Sequence, residues 1–426
     1  TIVPGFQYEV SVDDQLDRYK LDKLKEKNYT MAGNGSCYTR EKKGYFPEIV
    51  QKFFNDRLRY KKLMQKAQKD FQETGALHHK NEISKYNNFQ MARKIQLNSL
   101  YGAMANQYFR FYDDRIAEGI TMSGQLVIRD TAKALDAYMN KVCGTDDEMY
   151  SFYSDTDSCY VTCKNLVDNF FPNKDTDKIV GLLDKIATDK IEPAIAQAMT
   201  KLGNYTNAFE HKIDFKREVI ADKGVFVAKK RYALNVLDDE GLRLKEPKLK
   251  VMGLEIVRSS TPGPIRESLK EAVRLILTSD EGNLQKFIEQ AKADFKTKSP
   301  EDIAFPRGCN NLLKYQSNAD IYQKGTPIHV RGSLLYNSLL DKMDLKLKYE
   351  KIQDGDKIKF LYLKEPNGIH ENTIAFITKL PHEFNLNEYV DYDTIFQKAF
   401  IDPLENIIKP IGWNTEPQAT LEDLFG

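Results

Sequence analysis

The sequence predicts an α+β fold, in which long helices and short hairpins occupy separate stretches of the chain. The first sign is a pair of long helices. One starts near Phe46-Pro47-Glu48, with proline in the first turn, and runs through Phe53, Phe54, Leu58, Leu63 and Met64 to about Phe71. Gly75 breaks it, and a second helix occupies about 81–100. The second sign is the stretch from Met149 to Val161, where two aromatic and β-branched runs flank a short polar turn, a β-hairpin pattern. The third is the mixed region from Tyr108 to about Arg258. There Tyr108–Tyr112 reads as a strand, 116–142 as a helix, 176–202 as a second helix, and Val225–Val236 as a strand after the run Ile213–Ile220.

The other elements follow the same rules. Tyr29-Thr30-Met31 and Cys37-Tyr38-Thr39 flank Ala32-Gly33-Asn34-Gly35, and Asn-Gly between aromatic runs signals a hairpin. Ser259-Ser260-Thr261-Pro262-Gly263-Pro264 reads as a linker or domain boundary. Beyond it come helices near 265–278, 284–296 and 391–409, with an irregular Gly/Pro region and short strands around Lys357–Leu363 between them. Asn414–Thr420 is polar, and the chain closes on Leu421-Glu422-Asp423-Leu424-Phe425-Gly426. Apolar residues at the end of a polar tail read as a peptide that docks in another protein's groove, or as a last turn tucked onto its own domain.

Composition bounds the function. At 426 residues, 41% hydrophobic and 11% aromatic, the chain supports two or three globular domains. No apolar run approaches the ~20 residues a membrane span needs, and Thr1-Ile2-Val3-Pro4-Gly5 lacks the basic and apolar regions of a secretory signal. Thr1 is not an initiator Met, so a processed chain or a cut piece of something longer is expected. Five scattered cysteines, Cys37, Cys143, Cys159, Cys163 and Cys309, read as free thiols in a reducing compartment. Cys159 and Cys163, four apart in one expected strand, suit core packing better than metal binding, and the six histidines show no ligand spacing. With a net charge of +1, any nucleic-acid binding must come from local basic patches.

Three groups of residues carry candidate chemistry. Asp155 and Asp157 sit at the turn of the acidic hairpin, where a sheet edge holds them rigidly. Two oxygen donors there suit Mg²⁺, which usually takes one or two protein carboxylates beside substrate phosphates; an ordinary solvated turn has the same composition. On the long helices, Arg57 and Lys61 share a face, as do Lys94, Asn98 and Tyr101. Arg57 lies 18 residues before Gly75 and Lys94 lies 19 after it, so an antiparallel pair brings them level. Three cations can then converge on a phosphate chain, although long Lys/Arg-rich helices also carry merely solvated faces. Lys229-Lys230-Arg231-Tyr232 places three consecutive cations in the expected strand, which suits a strand lying along something anionic or an edge protected by lysine.

In order and spacing these residues resemble a known family. Arg93-Lys94-Ile95-Gln96-Leu97-Asn98-Ser99-Leu100-Tyr101-Gly102 resembles motif B of the family B DNA polymerases, Tyr153-Ser154-Asp155-Thr156-Asp157-Ser158 their motif C, and Lys229-Lys230-Arg231-Tyr232 their primer-template-contacting basic motif. The likeness is greatest to the replicative polymerases of T-even-type phages. It continues through Lys141-Val142-Cys143-Gly144-Thr145, Arg231-Tyr232-Ala233-Leu234-Asn235-Val236, Ile328-His329-Val330-Arg331-Gly332 and Leu424-Phe425-Gly426, and so covers essentially the whole chain as the C-terminal half of such an enzyme.

The resemblance implies a right-hand polymerase architecture with an antiparallel-sheet palm, helical-hairpin fingers and a mixed, mainly helical thumb. Residues 1–43 become the palm segment before the fingers, 44–106 the fingers, 107–258 the palm, and 259–426 the thumb with a clamp-binding tail. It implies two Mg²⁺ ions bridged by Asp157, with Asp155 as accessory carboxylate and Glu218 as a further acidic residue nearby. Arg57, Lys61 and Lys94 become the clamp on the dNTP triphosphate, with Asn98 on the same face and Tyr101 and Gly102 against the nascent base pair. Lys229, Lys230 and Arg231 follow the primer-template DNA, Tyr232 lines that surface, and Leu421, Leu424 and Phe425 dock on a sliding clamp. Deleting the last six residues is expected to lower processivity and spare single-nucleotide insertion. The implied setting is the cytoplasm of an infected bacterial host, with no membrane partner.

One family element is missing. Asp13, Asp14, Asp17 and Asp22 lie in the first 43 residues, but none stands in an Asp-x-x-Ser-Leu-Tyr-Pro-like strand, the motif A that supplies the other metal-bridging carboxylate and the sugar-discriminating tyrosine. The proofreading exonuclease is missing as well. The expectation is a chain that polymerises little alone and needs a second chain carrying motif A and the exonuclease, as in a split polymerase or a truncation. The alternatives are a non-catalytic DNA- and sliding-clamp-binding module and a two-metal nuclease using Asp155 and Asp157.

Overall fold

The computed structural model describes residues 1–317 and 320–417. The chain divides into two compact units, one of Thr1–Ile220 with Asp238–Arg243, the other of Ala221–Leu237 with Leu244–Gly426. Helices mix with antiparallel sheets, as the α+β reading expects. No helix among the described residues is long and apolar enough to cross a membrane.

The first unit begins with β1 (Ile2–Gln7), α1 (Val12–Leu16), α2 (Asp22–Glu26), β2 (Tyr29–Met31) and β3 (Ser36–Thr39). The strands form an antiparallel sheet in the order β1-β3-β2, and the predicted Asn34-Gly35 hairpin joins β2 to β3. Its loop needs glycine at position 33, where a Cβ would lie 2.3 Å from the Met122 backbone carbon. Next come α3 (Tyr45–Thr74) and α4 (Leu77–Met104), the predicted helical hairpin. Gly75 ends α3 in the left-handed region at φ +68, its N–H donating to the Phe71 carbonyl at 2.8 Å.

The rest of this unit is α5 (Asp114–Cys143), β4 (Tyr153–Asp155), β5 (Ser158–Tyr160), α6 (Lys164–Phe170), α7 (Thr176–Ile186) and α8 (Glu192–Tyr205). A five-residue π-turn, Ala187–Ile191, makes α7 and α8 one run, in place of the single regular helix expected over 176–202. Pro193 supplies the reason, because it has no N–H to return to the preceding turn. The core of α5 and α8 joins Leu126 and Leu135 to Ile195, Met199 and Leu202, with Val12 and Leu16 of α1 closing it. Full burial of each such leucine or methionine contributes about 1.5–3 kcal/mol.

The second unit is built on most of β6 (Val219–Ala228), β7 (Arg231–Asp239) and β8 (Leu242–Met252), hydrogen-bonded in that order, while Val219–Ile220 and the tip Asp238–Arg243 belong to the first. Then follow α9 (Gly263–Thr278), α10 (Glu281–Phe295), α11 (Pro300–Ile303), β9 (Phe305–Gly308), α12 (Leu312–Tyr315), α13 (Ile328–Lys342), β10 (Lys357–Tyr362), β11 (Thr373–Phe376), α14 (Tyr392–Phe396) and α15 (Asp402–Ile408). Strands β11-β10-β9 make an antiparallel sheet. One core runs from Val225, Ala233 and Leu254 through Leu269, Leu335, Phe376 and Phe400 to Ile408.

Several local expectations are corrected. Tyr108–Tyr112 forms turns instead of a strand, because Phe109 and Phe111 fold onto Phe46, with ring centroids 6.5 and 5.5 Å away. Val225–Val236 is two strands, with Lys229-Lys230 as the turn between them. Cys163 lies beyond β5, just before α6. The Gly/Pro region holds a regular helix, α13, whose Gly332 lets it approach β11 so closely that a Cβ would sit 2.9 Å from the Ala375 nitrogen. Ser259–Pro264 packs inside the second unit, with Thr261 buried and its hydroxyl donating to the Glu255 carbonyl at 2.9 Å.

Candidate active site and nucleic-acid interface

The acidic hairpin is short and firmly rooted. Register pairs Tyr153 with Tyr160, Ser154 with Cys159 and Asp155 with Ser158, leaving Thr156 and Asp157 as the connection. The Asp157 N–H donates to the Asp155 carbonyl at 2.6 Å. Thr156 takes φ +54, a left-handed conformation that costs a β-branched residue on the order of 1–2 kcal/mol. Such strain persists only where the surroundings over-determine it, and here they do. The Tyr153 and Tyr160 rings meet edge to face at 5.4 Å. Cys159 and Val161 pack into the cores beneath. At the base, Asp136 of α5 accepts from the Tyr150 and Ser151 N–H groups at 3.0 and 2.7 Å and from the Ser151 hydroxyl at 2.8 Å. Asp155 is half-buried and Asp157 exposed, so two carboxylates stand on a rigid post with one facing solvent.

The five cysteines are free thiols. Burial pushes Cys159 and Cys163 up to about 11, so both stay protonated at neutral pH and serve packing.

The helical hairpin holds the predicted register. Arg93 pairs with Asp56 at 3.3 Å and lies over the Phe53 ring at 5.3 Å, while Tyr60 meets Phe89 at 5.1 Å. These contacts join the immediate neighbours of Arg57 and Lys94, which brings those two level across the pair. Lys94, Asn98 and Tyr101 are exposed on α4, and the Arg57 Nε is buried without a hydrogen-bond partner among the described residues. Helix α5 touches both α4 and β5, and so links the helical hairpin to the acidic one.

Lys61 is engaged within the same unit. Its ammonium lies 2.5 Å from one oxygen of Glu240, and Gln65, one turn on, donates to the other at 2.7 Å. Glu240 stands on the tip between β7 and β8, which Arg217 braces by bridging Asp184 of α7 and Asp238. Burial works to lower the Arg217 pKa; its bonds to Asp184 and Asp238 outweigh this and raise it above the ordinary value. Glu218 is exposed, and its carbonyl accepts from the Glu240 N–H at 2.6 Å. The sequence singles out neither Arg217 nor Glu240, because nothing local marks their partners.

In the second unit, Lys229 and Lys230 form an exposed hairpin turn, with Lys230 at φ +61. Arg231 grips Glu255 through one nitrogen at 2.9 and 3.0 Å. Tyr232 is buried and stacks on Phe226 at 5.2 Å, so its ring is committed to protein packing. Leu421, Leu424 and Phe425 lie outside the described residues.

Among the described residues, Asp155, Asp157 and Glu218 do not assemble a three-ligand cluster. The group that does is His78, His79 and Glu82, which corrects the expectation that the histidines lack ligand spacing. It lies at the start of α4, beside Gly75 and about 27 Å along the hairpin axis from Arg57.

Residues 7–170 match the family model described as DNA polymerase family B. The DNA-directed DNA polymerase of Enterobacteria phage T4 is 34% identical across 94% of this chain and 45% of its own length. That of Escherichia phage RB69 is 33% identical across 93% and 50%, and DNA polymerase 1 of Pyrococcus abyssi 23% across 92% and 42%. The chain is thus similar to the family B DNA polymerases along most of its length. It spans about half the length of the curated relatives it matches.

Proposed function

We propose that this chain carries the fingers, most of the palm and the thumb of a replicative DNA-directed DNA polymerase, active when a second chain supplies motif A and the exonuclease. The observation that carries the reading is the strained Asp155-Thr156-Asp157 turn, rooted in α5 through Asp136. Its donors are carboxylate oxygens, one of them facing solvent, which fits a hard divalent cation and not a thiol-seeking one. Two carboxylates that form no three-ligand group among the described residues fit the need for another from motif A. When bound, paired Mg²⁺ ions would lower the pKa of the primer 3′-hydroxyl and steady the leaving pyrophosphate.

The chain's own residues then divide the work. Asp157 and Asp155 hold the metal side of the site. Arg57, Lys61 and Lys94 neutralise the triphosphate from the fingers, and Asn98 lies on the same face. Tyr101 and Gly102 pack on the new base pair, and closure over a correctly shaped pair couples selection to chemistry. A Cβ at position 102 would meet nothing within 4 Å among the described residues. Gly102→Ala is therefore expected to leave the helix as stable or firmer by up to about 1 kcal/mol, yet to slow nucleotide insertion. Unchanged insertion kinetics in the alanine variant would remove Gly102 from the base-pair contact.

Lys229, Lys230 and Arg231 follow the primer-template backbone, with Tyr232 supporting the turn from within the core. Binding is then driven by phosphates and falls steeply with salt, with little sequence preference. Replacing Lys229 and Lys230 with alanine is expected to flatten the plot of log K against log salt by about one unit for each lysine lost. A slope unchanged in the double variant would place the DNA elsewhere. The terminal Leu421, Leu424 and Phe425 dock on a sliding clamp; the six-residue deletion tests this, and unaltered processivity would refute it. The activity itself is tested by Mg²⁺-dependent primer extension after adding a chain that bears motif A and the exonuclease. No extension under any such pairing would refute the proposal.

A further inference from the structure

We infer that Glu240 is a latch on the fingers: its carboxylate pairs with the Lys61 ammonium, and an incoming triphosphate has to displace it. The inference rests on the reading of Lys61 as a triphosphate ligand. Both carboxylate oxygens are engaged by adjacent turns of α3, one by Lys61 at 2.5 Å and the other by Gln65 at 2.7 Å. A single carboxylate thereby takes a cation and a neighbouring donor, as one phosphate group of a nucleotide would.

The tip that presents Glu240 is built to hold still. Glu240 sits at φ +54, its N–H donates to the Glu218 carbonyl at 2.6 Å, and the Gly241 N–H donates to Asp238 at 2.9 Å. Arg217 clamps Asp238 to Asp184. The pair it offers is deliberately weak by comparison. The side chains of Lys61 and Glu240 are 31% and 28% exposed, so water and salt screen them, and such pairs exchange readily. A triphosphate carries more charge than one carboxylate and binds Arg57 and Lys94 at the same time, so it wins the exchange. Helix α3 is thereby held in one place until nucleotide arrives, without being trapped there.

The test is dATP binding to the full chain on a primer-template, with Glu240→Gln, Lys61→Ala and the double variant compared at low and high salt. Glu240→Gln keeps the shape and the Gln65 contact and removes the charge. It is expected to tighten dATP about 2–5-fold at low salt, the range an exposed ion pair covers, with a smaller gain at high salt. In the Lys61→Ala background the same change is expected to do nothing. If Glu240→Gln leaves dATP affinity unchanged or weakens it while Lys61→Ala weakens it, the latch is wrong and the clamp reading stands. If Lys61→Ala has no effect on dATP, the clamp reading itself fails. Glu240→Ala, checked for unchanged far-UV circular dichroism, guards against an effect peculiar to glutamine.

Discussion

Asp157→Asn is expected to lower Mg²⁺-dependent primer extension by about 10³-fold or more, measured in the complex with the chain that supplies motif A. The magnitude follows from removing a fixed charge aimed at the reacting centre, where single contributors are worth about 10²–10³, together with loss of metal occupancy. The carboxylate is exposed at a turn whose backbone bonds do not involve it, so the fold is expected to be intact. Primer-template affinity is expected to change little, because the proposed phosphate contacts are those of Lys229 and Lys230 and not of this carboxylate. A variant that extends primers at the wild-type rate would end the assignment of this hairpin as the metal site. Asp155→Asn is expected to have a smaller effect, in keeping with an accessory role.

Arg217→Met is the largest expected effect on stability, a loss of about 3–5 kcal/mol in urea unfolding followed by far-UV circular dichroism. The guanidinium side chain is 12% exposed and its partner Asp238 is 7% exposed. Removing the cation leaves a buried carboxylate without its counter-charge, which costs far more than a surface pair of the same length. Adding Asp238→Asn to Arg217→Met is expected to recover part of the loss, since the uncompensated charge is then gone. A midpoint unmoved by Arg217→Met would show that the tip stands without the bridge. The same variant is expected to loosen Glu240, so the dATP response of Glu240→Gln shrinks in its background.

Much of the helical hairpin and the acidic turn was legible in the chain. The spacing of Arg57, Lys61, Lys94 and Asn98, with Gly75 as the break, is a local periodic pattern, and local periodicity maps directly onto a helix face. The alternation around Asp155 and Asp157 is equally local. Misreadings arose where side chains prefer distant partners. Phe109 and Phe111 have strand composition but collapse onto Phe46. Gly332 signals irregularity until the backbone of β11 is seen against it. Lys229 and Lys230 look like strand residues and make a turn, with Gly253 packed so closely that a Cβ there would lie 2.0 Å from the Lys230 carbonyl.

By itself the sequence determined the residue types at the candidate site, their order along the chain and their likeness to one polymerase family. It did so because carboxylates, cations and helix spacing are properties of short segments. Only the tertiary structure decided which groups are already committed. Asp136 holds the base of the hairpin from 15 residues away, Arg217 reaches Asp184 across 33, and Glu240 meets Lys61 across 179. Such partners are chosen by packing of the whole unit, where desolvation makes each buried charge find a counter-charge. No local pattern records which one it finds.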